Sequence, residues 1–161
     1  GTDFVPYLFD NASQKLRVYM LGAKPEIVEK AAENWTKRYP NHSFCGHQHG
    51  YFDRSRTDEV LNEINNSNAD LLLVAMGYPV QERFIMEHRH DLNVPVAMGI
   101  GALFDFTAQV VPRAPMWMRR TKTEWLFRLS REPKRLLHRY TVGIGRFLWV
   151  CLKLRLSRAS A

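Results

Sequence analysis

The sequence predicts an α/β fold: a Rossmann-like, mostly parallel sheet with helices on both faces, followed by a basic helical C-terminal appendage. Two apolar runs, at residues 70–76 and 94–98, are short and rich in Leu and Val, as strands buried on both faces are. Segments of helical period lie between the apolar runs, which indicates parallel strands joined by right-handed crossovers. Glycines follow the runs, at the strand ends where open α/β sheets bind ligands, and we expect the functional site there.

Each element follows from a local pattern. Strands are predicted for the apolar runs at 16–21, 42–46, 70–76 and 94–100. Helices are predicted where apolar residues recur at helical spacing, at 3–12, 25–39, 57–66 and 80–92. Pro25 suits the first turn of the second of these helices. After residues 102–108, helical segments with breaks at Pro133 and Gly143-Ile144-Gly145 are expected over 114–157.

The charge divides the chain in two. Residues 112–161 contain 13 of the 23 Lys and Arg but only two acidic residues, a net charge of +11, whereas residues 1–111 carry a net charge of −4. We therefore distinguish an α/β part, 1–111, from a basic appendage, 112–161. Cys45 and Cys151 lie far apart, which argues against a disulfide scaffold and for a reducing compartment. The sequence contains no apolar run long enough to span a bilayer.

The first candidate site is Gly77-Tyr78-Pro79-Val80-Gln81-Glu82, which joins a strand to a helix. Free backbone N–H groups at such a helix start can hold a pyrophosphate, and Gln81 can orient a sugar or a base. Taken alone, an ordinary strand-to-helix turn explains the same residues.

The second candidate is Gly99-Ile100-Gly101, which resembles the start of a dinucleotide fingerprint, although Phe104 occupies the third glycine position. A nicotinamide-dependent dehydrogenase is therefore disfavoured. Asp105 lies between two phenylalanines, where a carboxylate can serve as a general base. A helix cap or a partner for Arg113 is the alternative role, and we favour it slightly.

Cys45, His47 and His49 share one face if their segment is a strand. They suggest zinc, but the ligand count stops at three and no second cysteine lies at a CxxC spacing. We expect no metal site.

The basic appendage has three interpretations: it binds nucleic acid, an anionic membrane surface or a nucleotide diphosphate. Its Trp, Leu and Phe residues are too numerous for a solvated face and suit a membrane interface. Nucleic-acid binding is disfavoured because neither a helix-turn-helix nor an RNA-binding signature is present.

Taken in order, these motifs resemble the WecG/TagA/CpsF glycosyltransferases, family 26 of the glycosyltransferases, over nearly the whole chain. Any single motif is unspecific, and the order and spacing carry the resemblance. The motifs are Gly1-Thr2-Asp3, Gly22-Ala23-Lys24-Pro25, His49-Gly50-Tyr51-Phe52, Ala69-Asp70, Gly77-x-Pro79-x-Gln81-Glu82, Gly99-x-Gly101, Phe104-Asp105, Arg113-Ala114-Pro115, Glu124-Trp125-Leu126, Arg128-Leu129 and Glu132-Pro133-x-Arg135.

The resemblance implies an inverting transferase that moves N-acetylmannosamine, its uronic acid or a related hexose from a UDP donor. The implied acceptor is a saccharide linked to undecaprenyl pyrophosphate, used in the synthesis of bacterial cell-surface polysaccharide. The resemblance also implies a peripheral protein on the cytoplasmic face of the inner membrane that needs no metal or other cofactor. Self-association into a homo-oligomer is left open, and no nucleic-acid partner is expected.

The resemblance assigns three catalytic residues. Gln81 matches the glutamine of the family's active-site pocket, whereas Arg128 and Arg135 match positions in the segment that closes over the site. Two arginines there suit the charge of a departing UDP. The other matched candidates are expected to bind substrate: Gly22, Lys24, Gly77, Pro79, Glu82, Gly99, Gly101, Asp105 and Arg113.

The chain departs from the family pattern in several places. Tyr78 and Val80 stand where the family usually has Ser and Lys, which changes the donor contacts. Family members begin well upstream of Gly1, and the segment there normally carries the aspartate proposed as general base. If the chain is complete as given, we expect it to bind substrate at best and to turn it over little, if at all. The alternative from another class is a non-catalytic membrane-docking subunit whose partner supplies the base.

Overall fold

In the computed structural model, four parallel strands form one sheet in the order β2-β1-β3-β4. The strands are β1 (Arg17–Gly22), β2 (Ser43–Gln48), β3 (Leu71–Ala75) and β4 (Val96–Gly99). The structure describes residues 2–110, 115, 118, 121, 123–131 and 149; at 124, 125, 128 and 131 it describes the backbone alone. The predicted α/β fold with a parallel sheet is confirmed.

The α-helices whose bounds lie within the described residues are α1 (Phe4–Asn11), α2 (Pro25–Arg38), α3 (Thr57–Asn66), α4 (Val80–Glu87), α5 (Leu103–Thr107) and α6 (Glu124–Arg131). A short 3₁₀ helix, Arg54–Arg56, precedes α3. The chain forms two units, Gly1–Pro112 and Arg113–Ala161, and the sheet lies in the first. In the second unit α6 is helical as predicted; most of the rest of the predicted helical appendage lies outside the described residues.

The sheet separates two apolar layers. On one face, α1, α2 and α5 pack against alternate residues of the central strands, such as Val18, Met20 and Leu73. On the other face, α3 and α4 pack against the residues in between, such as Tyr19 and Leu72. This alternation follows from the period of two along a strand, and it confirms that helices cover both faces.

The two central strands and the two outer strands differ in burial. Nearly all of β1 and all of β3 are buried, as continuous apolar runs predict for central strands. In contrast, β4 lies at an edge of the described sheet and Val96 is 49% exposed. The prediction that the run at 94–98 is buried on both faces is therefore wrong: β4 has a neighbouring strand on one side only within the described sheet, and none of its four residues is fully buried.

Three predicted boundaries are also corrected. The helix after β3 ends at Glu87 and not at residue 92. The reason is a long-range contact: the Asn65 side chain donates to the Asp91 carbonyl and accepts from Asn93 N–H, each at 2.8 Å. These bonds hold residues 91–93 in a non-helical turn. Furthermore, β4 starts two residues later than predicted, and β2 extends two residues further, to Gln48.

One polar side chain joins α1 to the sheet. His42 is buried, and its Nδ1 accepts from Leu16 N–H at 3.2 Å while its Nε2 lies 2.9 Å from the Phe9 carbonyl. Because Nδ1 accepts, Nε2 carries the proton and donates to Phe9. Both ring nitrogens are thus hydrogen-bonded to backbone groups, one in α1 and one just before β1.

Candidate functional site

The turns that follow β1, β3 and β4 lie side by side at the carboxyl edge of the sheet. Ala23 N–H donates to the Ala75 carbonyl at 2.8 Å, and Ile100 N–H donates to the Val74 carbonyl at 2.9 Å. The strand order reverses between β1 and β3, since β1 leads outwards to β2 and the chain then returns to β3. Ligands of open α/β sheets bind at such a switch point. The structure therefore brings together the turns that carry most of the predicted site residues.

At the end of β1 the backbone passes very close to β3. Gly22 has a φ of +124°, and a Cβ placed on it would overlap the Ala75 carbonyl. Both the backbone conformation and the lack of space therefore exclude a side chain at this position. Lys24 follows in extended conformation with an exposed side chain, and its carbonyl accepts from Ile27 and Val28 N–H at the start of α2. Lys24 thus places a cation at the sheet edge.

The best-defined polar group of this edge is Gln81, which is only 6% exposed. Its Oε1 accepts from Gly101 N–H at 3.1 Å, and its Nε2 donates to Glu82 Oε1 at 2.8 Å. The side chain therefore ties the start of α4 to the turn after β4. The other carboxylate oxygen, Glu82 Oε2, is buried and has no hydrogen-bond partner among the residues that the structure describes.

Gly99 is the residue that makes room for Gln81. A Cβ on Gly99 would lie 2.7 Å from Gln81 Nε2, closer than a carbon and an amide nitrogen can approach. At Gly101, by contrast, a Cβ would meet nothing within 4 Å, and the glycine is explained by its φ of +59°. The two glycines of the predicted motif thus serve different purposes.

In the turn before α4, backbone N–H groups are engaged in hydrogen bonds within the chain. It contains Gly77 at a φ of +78° and a cis peptide bond between Tyr78 and Pro79. Gln81 N–H donates to the Gly77 carbonyl at 3.0 Å, and Arg83 N–H donates to the Pro79 carbonyl at 3.1 Å. Gln81 N–H is therefore not free to hold a pyrophosphate, and for the other N–H groups of this helix start the prediction stays open.

The remaining candidates fall into two groups. Asp105 is half-buried in α5, on the layer that contains α1 and α2. Its predicted roles, as a general base, as a helix cap or as a partner of Arg113, stay predictions. Arg128 belongs to α6, of which the backbone alone is described at that position. Arg113 and Arg135 lie outside the described residues.

The structure contains a cleft that the sequence did not suggest. Its volume is about 200 Å³, and it lies between α4 and the loop that leads from β2 into α3. The lining residues are Gly50, Phe52, Arg54, Thr57, Met76, Val80, Arg83, Phe84, Glu87 and His88. The signal available in the sequence was the spacing of four between Arg83 and Glu87, which places both on one face of a helix. The loop residues come to this face only through the tertiary fold.

The proposed metal ligands do not form a cluster. The strand pairing skips Cys45, since Val18 pairs with Phe44 and Tyr19 with Gly46, and this bulge interrupts the side-chain alternation. Within the described residues, no three His, Cys, Asp or Glu side chains lie close enough together to hold a metal ion. In the same part of the chain, no helix is both long and apolar enough to cross a membrane.

Comparison with known proteins gives consistent results. Residues 1–161 match the Glycosyl transferase WecG/TagA/CpsF family. Three similar proteins share the name N-acetylglucosaminyldiphosphoundecaprenol N-acetyl-beta-D-mannosaminyltransferase. The protein of Bacillus subtilis (strain 168) is 37% identical over 76% of this chain and 47% of its own length. The protein of Bacillus spizizenii (strain W23) is 36% identical over 95% of this chain and 58% of its own length. The protein of Staphylococcus aureus (strain MW2) is 38% identical over 74% of this chain and 46% of its own length. The chain thus spans about half the length of the curated relatives it matches.

Proposed function

The chain belongs to the WecG/TagA/CpsF glycosyltransferase family, and we propose that it takes part in the transfer of a sugar from a UDP donor to a lipid-linked saccharide. The proposed sugar is N-acetylmannosamine or a related hexose, and the proposed acceptor is a saccharide on undecaprenyl diphosphate. The names of the similar proteins support both choices, since those proteins transfer N-acetylmannosamine to N-acetylglucosaminyldiphosphoundecaprenol.

The observation that carries the proposal is the bridge from Gln81 to Gly101. It fixes the turn after β4 against the start of α4, beside the switch point between β1 and β3. Pre-formed turns of this kind hold a nucleotide without further ordering, which lowers the entropic cost of binding. Gly22 and Gly99 favour the same function, because side chains at both positions would intrude on this edge.

The charges suggest how the donor is held. Lys24 is exposed at the edge and can contact a phosphate of UDP. We propose that Arg128 and Arg135 neutralise the charge that develops on the departing UDP, a role that a positioned cation fills without a metal. We therefore propose a metal-independent transferase on the cytoplasmic face of the inner membrane, with the basic appendage against anionic lipid.

Calorimetric titration of UDP into the 161-residue chain tests the proposal, with and without anionic vesicles and with EDTA present. We expect saturable binding that EDTA does not change. Gln81→Ala should weaken it about tenfold or more, because the variant loses the bridge that shapes the site. Gln14→Ala is the matched control, since Gln14 is exposed in the loop before β1, and it should bind as the parent does.

Two results would contradict the proposal. UDP binding that is equally strong in Gln81→Ala and in Gln14→Ala would remove the donor site from this edge. Tight, salt-sensitive binding of an oligonucleotide, with no binding of UDP, would instead favour a basic nucleic-acid-binding module.

A further inference from the structure

The cleft beside α4 has an apolar floor and a charged rim; we call it the α4 cleft. Phe52, Met76, Val80 and Phe84 supply aromatic and aliphatic surface, and Val80 is 52% exposed. An exposed valine at the first position of a helix is a surface on which apolar ligand groups gain free energy by burial.

Two arginines of the rim are available to bind an anion. Arg54 and Arg83 are both exposed, and they come from separate elements, the 3₁₀ helix and α4. Within residues 2–110, the ion pairs are Arg56–Glu59 and His88–Asp91, so no carboxylate of that range forms an ion pair with either arginine. Two guanidinium groups on opposite sides of one cleft suit a diphosphate, which offers several acceptor oxygens at once.

Two other polar residues line the same rim. His88 lies 3.6 Å from an Asp91 carboxylate oxygen and packs on the Phe84 ring, with centroids 4.9 Å apart. Glu87 is exposed and carries a negative charge that opposes anion binding. The arginines therefore outnumber the acidic residue by one.

The α4 cleft borders the proposed donor edge. Met76 and Val80, which line the cleft, lie on either side of the turn at Gly77-Tyr78-Pro79. Gly50, which also lines the cleft, donates its N–H to the Ala23 carbonyl in the turn after β1, at 2.9 Å. A ligand in the cleft is thus separated from the donor edge by a single turn, the arrangement that transfer between two substrates requires.

We propose that the α4 cleft binds the diphosphate and the first isoprenoid units of the lipid-linked acceptor. The proposal rests on the proposed function, which supplies the acceptor class. Arg54 and Arg83 hold the diphosphate, and the apolar floor receives the start of the lipid. The volume of about 200 Å³ lies below the roughly 300–1,000 Å³ of sites that enclose a whole ligand. The cleft therefore takes the head of a long lipid and leaves the rest of the chain outside.

Calorimetric titration of farnesyl diphosphate, a water-soluble short prenyl diphosphate, into the 161-residue chain tests this assignment. Arg54→Ala and Arg83→Ala should each weaken binding about tenfold or more. Arg56→Ala is the matched control, since Arg56 is an exposed arginine two residues from Arg54 that is paired with Glu59 and does not line the cleft. Val80→Asp should abolish binding, and Glu87→Gln should strengthen it about two- to threefold.

Competition with UDP and with inorganic pyrophosphate distinguishes a site for the prenyl diphosphate from the site for the nucleotide diphosphate. Saturating UDP should leave the affinity for farnesyl diphosphate unchanged, and inorganic pyrophosphate should bind more weakly, because it lacks an apolar part. Displacement of farnesyl diphosphate by UDP would overturn the proposal and make the cleft part of the donor site. Equal affinity in the parent, Arg54→Ala and Arg83→Ala would also overturn it, since the basic appendage would then be the binding surface.

The outcome is separable from that of the proposed function. UDP binding that depends on Gln81 tests the donor edge, whereas farnesyl diphosphate binding that depends on Arg54 and Arg83 tests the cleft. Loss of the first with retention of the second would contradict the transferase and support the prenyl diphosphate site. The reverse result would support the transferase and overturn the cleft as its acceptor site.

Discussion

The two faces of the sheet are built differently. The first layer, with α1, α2 and α5, is closed by aromatic residues: Trp35 packs edge-on against Phe9 and Phe104, with ring centroids 5.5 and 5.8 Å apart. The second layer, with α3 and α4, is filled mainly by aliphatic side chains, and its one large ring from α4, Phe84, lines the α4 cleft. One face therefore supplies stability, and the other leaves room for a ligand.

The polar residues of both proposed sites lie on the second layer. Gln81, with Glu82 beside it, and the arginines of the cleft are on α4 or on the loop opposite it, and so belong to the second layer. A cleft removes packing partners from the side chains around it, and the resulting loss of dispersion contacts has to be offset elsewhere. The aromatic cluster of the first layer provides that offset.

The largest expected effect comes from truncating the first layer. Phe104 is fully buried, and Phe104→Ala should lower the free energy of unfolding by about 3–5 kcal/mol. Phe84→Ala should cost less, roughly 2 kcal/mol, because the α4 cleft beside Phe84 lets water fill the space that the ring leaves. Urea denaturation of both variants measures the difference. Equal losses would mean that the two layers are packed alike and that the second is no more open than the first.

The second prediction concerns the two glycines after β4. Gly99→Ala places a methyl group against Gln81 Nε2, so Gln81 must move and its bond to Gly101 N–H is lost. We expect about 1–3 kcal/mol of destabilisation and a loss of UDP affinity of about tenfold. Gly101→Ala is the control: it strains the backbone by about 1–2 kcal/mol but keeps the N–H that Gln81 accepts from.

Thermal denaturation and UDP titration on the same samples separate the two variants. The expected pattern is a similar loss of stability in both and a loss of UDP binding in Gly99→Ala alone. Undiminished UDP binding by Gly99→Ala would show that the position of Gln81 does not shape the donor edge.

The central part of the fold was predictable because it depends on local patterns. The runs that became β1 and β3 are apolar at every position that the sheet buries on either face, and Pro25 begins α2 as expected. The glycines after these strands correctly predicted adjacent turns. Strand ends of a parallel sheet meet at one edge, so the sequence order alone places them together.

Features that depend on distant residues were not predictable. The end of α4 is set by Asn65, which is 26 residues away from Asp91 in sequence. The engagement of Gln81 depends on Gly101, 20 residues away, and nothing in the local pattern distinguishes a bridging glutamine from one that faces a ligand. Likewise, the α4 cleft combines Arg54 with Arg83, and the apolar period of α4 carries no information about the loop opposite. The substrate contacts of Arg113, Arg128 and Arg135 stay predictions.

The smallest expected effect is a pH dependence that belongs to the second layer. Ser55 donates both its hydroxyl and its N–H to Asp53 Oδ1, at 2.7 and 2.8 Å, and these bonds lower the pKa of Asp53 from its ordinary value of 3.8. Because the pKa is lowered in the folded state, the ionised Asp53 stabilises the loop at every pH above the ordinary pKa. This contribution is lost as the pH falls through the pKa of the folded state. Acid should therefore loosen the loop that carries Arg54 while the aromatic layer stays packed.

Nuclear magnetic resonance of the Ser55 amide, followed from about pH 5 to about pH 2.5, measures this titration. We expect a midpoint below 3.8 in the parent chain. Ser55→Ala keeps the backbone donor but removes the hydroxyl, the larger of the two causes, so its Asp53 midpoint should rise towards the ordinary value. Asp53→Asn, which cannot ionise, should abolish the titration of the amide. A parent midpoint at or above that of Ser55→Ala would mean that the hydrogen bonds from Ser55 to Asp53 do not hold this loop in solution. Packing alone would then determine the position of the loop beside the α4 cleft.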